Sequence, residues 1–200
     1  MEFDKDLQSI QAVRNLVAQA VAAQKELARM TQDQVDHICC EIANACIARA
    51  VPLARMAVEE TGFGVWQDKV MKNLLGSQIT WESIRDMKTI GVIREDEGDG
   101  IMEIGVPMGV VAALIPSTNP TSTTMYKTLI SIKAGNAIVI SPHPNAKNCI
   151  LETVKVIKEA ARKAGAPDGI IQVITIPTIQ ATDALLKHKD IGIILATGGE

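Results

Sequence analysis

Hydrophobic residues in positions 1–88 recur at intervals of three and four, which is the spacing of one face of an α-helix. The pattern predicts a first helix of about six turns, a second that begins at Thr31 and a third that ends before Gly62. Thr31 and Gln34 match a capping box, and glycine is a usual helix stop. We therefore predict that residues 1–88 form a helical region that packs on the domain formed by residues 107–200. A fourth helical stretch covers residues 67–87, and its residues expected to face inward are Val70, Met71, Leu74, Leu75, Ile84 and Met87.

Residues 89–106 have a different pattern, in which two short runs rich in β-branched residues flank the acidic segment Glu95–Gly100. This arrangement predicts a β-hairpin. A calcium loop would need the twelve-residue ligand pattern with a closing glutamate, which this segment lacks. We interpret its carboxylates as a solvated turn.

From Pro107 onward, short runs of continuously apolar residues alternate with helical patterns. The four runs begin at Val110, Ala137, Gly169 and Ile191. Strands that are apolar on both faces belong to parallel sheets covered by helices on each side. Repeated βα units therefore predict an α/β fold with a doubly wound parallel sheet over residues 107–200. Asn145 is expected to cap the helix after the second strand.

The composition excludes several classes of function. A net charge of -3 provides no basic footprint for nucleic acid, and 2% aromatic residues provide few platforms for base stacking. No apolar run approaches the roughly 20 residues of a membrane helix. The first ten residues are too acidic and polar for a signal peptide. We expect a cytoplasmic protein with neither nucleic-acid nor membrane partners.

The four cysteines are Cys39, Cys40, Cys46 and Cys149. Cys39 and Cys46 lie seven positions apart in an apolar helical pattern, so they are interpreted as small buried residues. No cysteine spacing or nearby histidine supports a zinc site, and we predict no metal. Cys149 lies in a predicted helix, facing the core, and is rejected as a nucleophile.

Thr175 follows the third predicted strand, and small polar loops follow the other three. They comprise Ser117, Thr118 and Asn119 after the first strand, Ser141, Pro142 and His143 after the second, and Thr197, Gly198 and Gly199 after the fourth. The carboxyl ends of parallel strands share one edge, where such sheets bind ligands. Neither the GxGxxG dinucleotide motif nor the GxxxxGK[ST] phosphate loop is present. From the residues alone, a nucleotide site and unspecialised connecting loops therefore both remain open.

Residues 107–147, PMGVVAALIPSTNPTSTTMYKTLISIKAGNAIVISPHPNAK, resemble the aldehyde dehydrogenase superfamily. Its members carry a P-x-G-V-V-x-x-I-x-P-x-N-x-P stretch, a helix with a lysine, and then A-x-G-N-x-V-V. The ending ILATGG is similar to the F-T-G-S turn of that family. The PSTNP and SPHP loops resemble the CoA-acylating branch, which includes acetylating acetaldehyde dehydrogenases and the aldehyde half of bifunctional aldehyde–alcohol dehydrogenases.

The resemblance implies a Rossmann-like NAD-binding region and a hairpin of the oligomerisation type. It also implies a reversible reaction in which an aldehyde, NAD and coenzyme A give acyl-CoA and NADH. The partners would be a small aldehyde and CoA, and the full-length protein would be a homo-oligomer in the cytoplasm or in a bacterial microcompartment. The nucleophilic cysteine of the family lies in a separate domain beyond residue 200. The chain is therefore expected to be an N-terminal fragment that is inactive alone.

Three residues match catalytic positions of the family. Counted from Pro116, the oxyanion-stabilising asparagine of the family falls on Thr118, and Asn119 stands one place later. Both side chains can donate a hydrogen bond to a developing oxyanion, and Asn119 is favoured. Lys127 matches the helix lysine near the active site. The plainer interpretations are that Asn119 only forms a turn and that Lys127 is a solvated helix lysine.

The cofactor site is expected to include residues of all three loops. The ribose-binding lysine and glutamate of the family are replaced by Ser141 and Pro144, so we expect the Ser141 hydroxyl or His143 to hold the ribose. The residues expected to contact the cofactor are Ile115, Pro116, Ser117, Thr118, Ser141, Pro142, His143, Thr197, Gly198 and Gly199.

Two other functions remain open. One is a semialdehyde or acyl-phosphate reductase of the same superfamily, which the PSTNP and SPHP loops disfavour. The other is a noncatalytic nucleotide-binding or assembly module. A downstream cysteine in an N-G-x-x-C context would support the acylating enzyme over the noncatalytic module.

Overall fold

The structure, a computed structural model, describes residues 4–197. Its N-terminal region is helical, as predicted. The helices are α1 (Lys5–Leu27), α2 (Gln32–Ala48), α3 (Ala50–Thr61), α4 (Trp66–Leu74), a π-helical segment (Leu75–Ile79) and α5 (Thr80–Ile84). The capping box of Thr31 and Gln34 is present, and Gly62 ends α3 in the left-handed conformation at φ 70°. Both local signals are confirmed.

The inward face predicted for residues 67–87 is wrong in part. Met71 and Leu75 are 65% and 56% exposed, whereas Lys69, Asn73 and Ser77 are buried. These polar side chains are buried because α4 and the π-helical segment pack on the polar N-terminal end of a later helix, residues 120–133. Apolar periodicity therefore indicated a helix but the wrong side of it.

An antiparallel hairpin is formed by β1 (Gly91–Asp96) and β2 (Ile101–Gly105). Asp96 pairs with Ile101, so the strands extend further into the acidic segment than its composition suggests. The Asp96 carboxylate accepts the backbone N–H groups of Gly98 and Asp99, which closes the turn.

The remaining elements alternate as α/β units, and the predicted fold class is confirmed. They are β3 (Val110–Ile115), α6 (Pro120–Lys133), β4 (Ala137–Pro142), a 3-10 turn (Pro144–Ala146), α7 (Lys147–Lys163), β5 (Ile171–Val173), α8 (Ile179–Leu186) and β6 (Ile191–Leu195). The strands are parallel and stand in the order β5-β4-β3-β6. Helices α6 and α7 pack against each other and contact the strands of the sheet. Helices α1 and α8 form a second pair, which also contacts the strands. This is a doubly wound sheet.

The core lies between these layers and is continuous with the N-terminal helices. It includes Val13, Val17 and Leu27 of α1, Ile38 and Ile42 of α2, and the inner residues of β3 and β4. Cys39 and Cys46 are fully buried, as predicted. Within residues 4–197, no single helix is long and apolar enough to cross a membrane; α2 and α3 meet that measure only as a pair, bent by 64°.

The cap predicted for the helix after β4 is wrong. Helix α7 has Ala146, not Asn145, at its N-cap, with no side-chain cap from that residue. Instead the Glu60 carboxylate, at the end of α3, accepts the backbone N–H groups of Asn148 at 2.8 Å and Cys149 at 2.7 Å. A carboxylate at a helix N-terminus satisfies free donors and complements the helix dipole.

Candidate active site

The three polar loops come from strand ends at one edge of the sheet. Ile115, the last residue of β3, is paired with Pro142 at the end of β4. Leu195, the last residue of β6, is paired with Ala113. The backbone N–H of His143 also donates to the Ile115 carbonyl at 3.0 Å, which joins the first two loops.

Strand β3 stands at the switch point of the sheet. The chain runs outward from β3 through β4 to β5, and then returns to place β6 on the opposite side of β3. Open α/β sheets bind ligands in the crevice formed at such a point, outside the carboxyl ends of the strands. The first loop, residues 116–119, emerges from this crevice.

Two lysines of α4 hold the first loop. Lys69 Nζ donates to the Thr118 carbonyl at 2.6 Å, and Lys72 Nζ donates to Asn119 Oδ1 at 3.0 Å. Burial, followed by the neighbouring charge of Lys72, lowers the pKa of Lys69. Neither lysine was predicted from the sequence, because the groups that they contact lie 49 and 47 positions further along the chain.

Asn119 occupies the N-cap position of α6 without capping it. Its backbone has φ −138° and ψ 62°, and its side chain makes no hydrogen bond to the helix. The half-buried residue lines a cleft of about 380 Å³ between the π-helical segment and α6. Thr118 is exposed beside it. The cleft is also lined by Lys72, Leu75, Gly76, Thr80, Ser122, Thr123 and Tyr126.

Buried polar contacts fix α4 and the π-helical segment beneath this cleft. Asn73 accepts a hydrogen bond from Thr121 Oγ1 at 2.6 Å and donates to the Ala50 carbonyl at 2.9 Å. Gly76 lies so close to α6 that a Cβ there would stand 2.6 Å from the Ser122 carbonyl oxygen. The two helices are therefore held at a separation that only glycine allows.

Lys127 lies beneath the crevice rather than in solvent. Its side chain is 1% exposed, and Nζ donates to the carbonyls of Leu114 at 2.8 Å and Leu195 at 2.7 Å. Burial lowers the pKa of Lys127 from 10.5 to about 8. The plainer interpretation as a solvated lysine is wrong, because the ammonium group bridges β3 and β6.

In the second loop, the two side chains predicted as ribose contacts, Ser141 and His143, have different surroundings. The Ser141 hydroxyl is buried and pairs with Thr182 Oγ1 at 2.9 Å, so it faces α8. His143 is exposed, and its Nδ1 accepts the Asn145 backbone N–H at 3.1 Å. Between this loop and α8 runs a groove of about 340 Å³. It is lined by Pro142, Pro144, Pro177, Thr178, Ile179, Thr182, Asp183 and Leu186.

The third loop is described only in part. Thr197 is exposed, and its hydroxyl lies 3.1 Å from the Tyr126 hydroxyl of α6. Gly198 and Gly199, also expected to contact a cofactor, lie outside the described residues.

Three of the four cysteines of this chain are poorly suited to attack an electrophile. Burial and the Glu60 carboxylate raise the pKa of the Cys149 thiol, whose Sγ donates to the Ala146 carbonyl. Burial also raises the pKa of Cys39 and Cys46. The thiolate is the reactive form, so these three thiols are disfavoured as nucleophiles. No group of three metal-ligating side chains occurs within residues 4–197.

Comparison with known proteins gives a family match over almost the whole chain. The model of the aldehyde dehydrogenase family matches residues 6–200. The bifunctional aldehyde-alcohol dehydrogenase AdhE of Escherichia coli is 44% identical over 184 residues, which are 92% of this chain and 21% of that protein. The chain therefore spans about a fifth of this curated relative.

Solved structures share the fold closely. A probable aldehyde dehydrogenase from Listeria monocytogenes is 62% identical with a TM-score of 0.98. An acetylating aldehyde dehydrogenase from Geobacillus thermoglucosidasius is 54% identical with a TM-score of 0.97. Each alignment covers 99% of this chain and 44% of the other.

Two further relatives were solved with ligands. A propionaldehyde dehydrogenase from Rhodopseudomonas palustris, 30% identical with a TM-score of 0.83, holds CoA and an acylated cysteine; the alignment covers 94% of this chain and 42% of the other. An engineered glycolyl-CoA reductase, 29% identical with the same TM-score and coverage, holds NADP+.

Proposed function

The chain belongs to the aldehyde dehydrogenase family, and on that premise we propose that it is the cofactor-binding part of a CoA-acylating member. The proposed reaction converts an aldehyde, NAD+ and CoA into acyl-CoA, NADH and a proton, and it is reversible. The nucleophilic cysteine would come from sequence outside this chain, which alone would be inactive. The observation that carries the proposal is the grouping of the Asn119 loop and the His143 loop at one edge of the sheet.

The groove beside the second loop fits the adenosine part of the dinucleotide. Three prolines and the side chains of Ile179 and Leu186 provide apolar walls for a flat base. The Asp183 carboxylate lines the same groove and accepts from Lys187 Nζ at 2.9 Å; its remaining lone pairs can accept from ribose hydroxyl groups. His143, exposed at the end of β4, is the better-placed ribose contact, because the Ser141 hydroxyl faces Thr182.

The first loop fits the reacting end. When bound, NAD+ accepts the hydride that leaves the substrate carbon. Asn119 lines the 380 Å³ cleft, and the exposed Thr118 precedes it in the loop; the side chains of both can donate hydrogen bonds to the substrate oxygen as negative charge develops there. Lys127 keeps β3 and β6 in register beneath that point through its two carbonyl contacts.

We also propose self-association through the hairpin of residues 89–106. Six of its apolar side chains are 39–73% exposed, and contiguous exposed apolar surface is typical of protein–protein contacts. Those side chains are Val92, Ile93, Ile101, Met102, Ile104 and Val106.

Calorimetric titration with NAD+ tests the cofactor assignment. We expect the chain to bind NAD+, and Ile179→Glu to weaken binding at least about tenfold by placing a carboxylate in the groove. Ile179 is 85% exposed, so this change should leave the fold intact. Met87→Glu, a change at another exposed apolar side chain outside both the groove and the hairpin, is the control. Absence of binding at millimolar NAD+ would overturn the assignment and favour an assembly module.

A further inference from the structure

We propose that Lys72 is a positioning residue that turns the Asn119 carboxamide so that its N–H groups face the substrate oxygen. This inference rests on the proposed function, in which Asn119 donates to the oxyanion. Asparagine at an N-cap normally uses its side-chain oxygen to accept a helix N–H, yet Asn119 makes no such bond.

The contact with Lys72 accounts for this departure. Lys72 Nζ lies 3.0 Å from Asn119 Oδ1, and an ammonium group can only donate. The carboxamide oxygen is therefore drawn toward α4, away from the free N–H groups of α6. In the planar amide, the oxygen and the NH₂ group point in different directions. Because Lys72 holds the oxygen, the NH₂ group points away from Lys72.

The NH₂ group of Asn119 is the part of the amide that can donate a hydrogen bond to the oxyanion. Among the described residues, no hydrogen bond occupies Asn119 Nδ2, and Asn119 lines the open cleft with Lys72. A charge-assisted bond to the oxygen polarises the amide, which strengthens its N–H donors. An oxyanion donor is effective when it is oriented before the charge develops.

A second contact makes the arrangement rigid. Lys69, one turn earlier on α4, donates to the carbonyl of the preceding residue, Thr118, at 2.6 Å. The same helix therefore holds both the backbone and the side chain of this loop. Asn73 anchors α4 against α6, and Gly76 does the same for the π-helical segment that continues α4, so the position of both lysines relative to the loop is fixed.

The first test uses the side-chain amide signals of Asn119 in the nitrogen–proton NMR spectrum of this chain, assigned with Asn119→Ala. Lys72→Met should shift both signals, whereas Lys72→Arg should largely preserve their positions. Lys158→Met, which removes an exposed lysine on α7, is the matched control for charge. Unchanged Asn119 signals in Lys72→Met would overturn the inference.

The second test is a double-mutant cycle on turnover in the enzyme that carries this chain together with its nucleophilic cysteine. We expect Asn119→Ala to lower kcat by about 100- to 1,000-fold. Lys72→Met should lower kcat by about 10- to 100-fold, with an unchanged dissociation constant for NAD+ and recovery in Lys72→Arg. Added to Asn119→Ala, Lys72→Met should cost nothing further, because its effect passes through the amide.

The outcomes separate the two proposals. Full turnover in Lys72→Met, or losses that multiply in the double variant, would overturn the role of Lys72 while the oxyanion role of Asn119 stands. Full turnover in Asn119→Ala would overturn that oxyanion role and the inference with it. NAD+ binding, measured separately by calorimetry, reports on the cofactor site in either case.

Discussion

Lys127 Nζ donates to the backbone carbonyl of Leu195 at 2.7 Å, across 68 positions of sequence. The same ammonium group donates to Leu114 of β3 at 2.8 Å, so one side chain of α6 bridges the two strands at the switch point. Its 1% exposure explains its lowered pKa, because burial disfavours the charged form. This lysine therefore links the stability of the sheet edge to pH.

Lys127 should make the protein more stable as pH rises from about 8 to about 10.5. In this window the unfolded chain keeps the proton on Lys127 while the folded chain has lost it, so the unfolding free energy increases with pH. The expected gain is about 1–3 kcal/mol. It should be absent from Lys127→Met and retained in Lys158→Met. Urea unfolding at several pH values measures it, and equal slopes in both variants would contradict the expectation.

Glu60→Gln should destabilise the fold by about 1–2 kcal/mol. The substitution removes the negative charge and one of two acceptors that cap α7 through Asn148 and Cys149. Glu59→Gln alters an exposed neighbour on the same helix and is the control. Denaturant midpoints compare the two, and a shift shared equally by both variants would rule out the long-range cap.

Gly76→Ala should destabilise the chain by about 1–3 kcal/mol, because a new Cβ must push α6 away from the π-helical segment. That atom would lie 2.6 Å from the Ser122 carbonyl oxygen. Gly98→Ala is the control, since the nearest atom to a Cβ there is Asp96 Oδ1 at 3.4 Å. Thermal unfolding distinguishes them; equal midpoints would mean that the helices separate without cost.

His143→Ala should weaken NAD+ binding by about 3- to 10-fold, the loss expected for one hydrogen bond. Ser141→Ala should affect binding less and stability more, because it removes the buried partner of Thr182. Calorimetry and thermal unfolding of both variants separate the effects. If Ser141→Ala were the weaker binder and His143→Ala bound normally, the ribose contact would be reassigned to Ser141.

Features that depend only on residues close together in the chain were predicted correctly from the sequence. The capping box of Thr31 and Gln34 spans three positions, and the stop at Gly62 depends on its own backbone. The apolar runs that form β3 and β4 are likewise local. Parallel topology then follows from the alternation of elements, which is why the loops of Asn119 and His143 were expected at one edge.

The contacts that were not predicted join residues that lie far apart in the chain. Glu60 replaces the predicted cap, Asn145, from 88 positions before Asn148. Lys69 and Lys72 reach their loop across 49 and 47 positions.

The sequence by itself therefore determined the elements, their order and the edge where the candidate site lies, since these follow from local periodicity and turn chemistry. Only the tertiary structure decided which face of α4 is buried and which way the Asn119 amide points. The physical reason is that a side chain's orientation is set by the donors and surfaces it meets after the chain has folded. Those neighbours belong to other elements and leave no trace in local sequence.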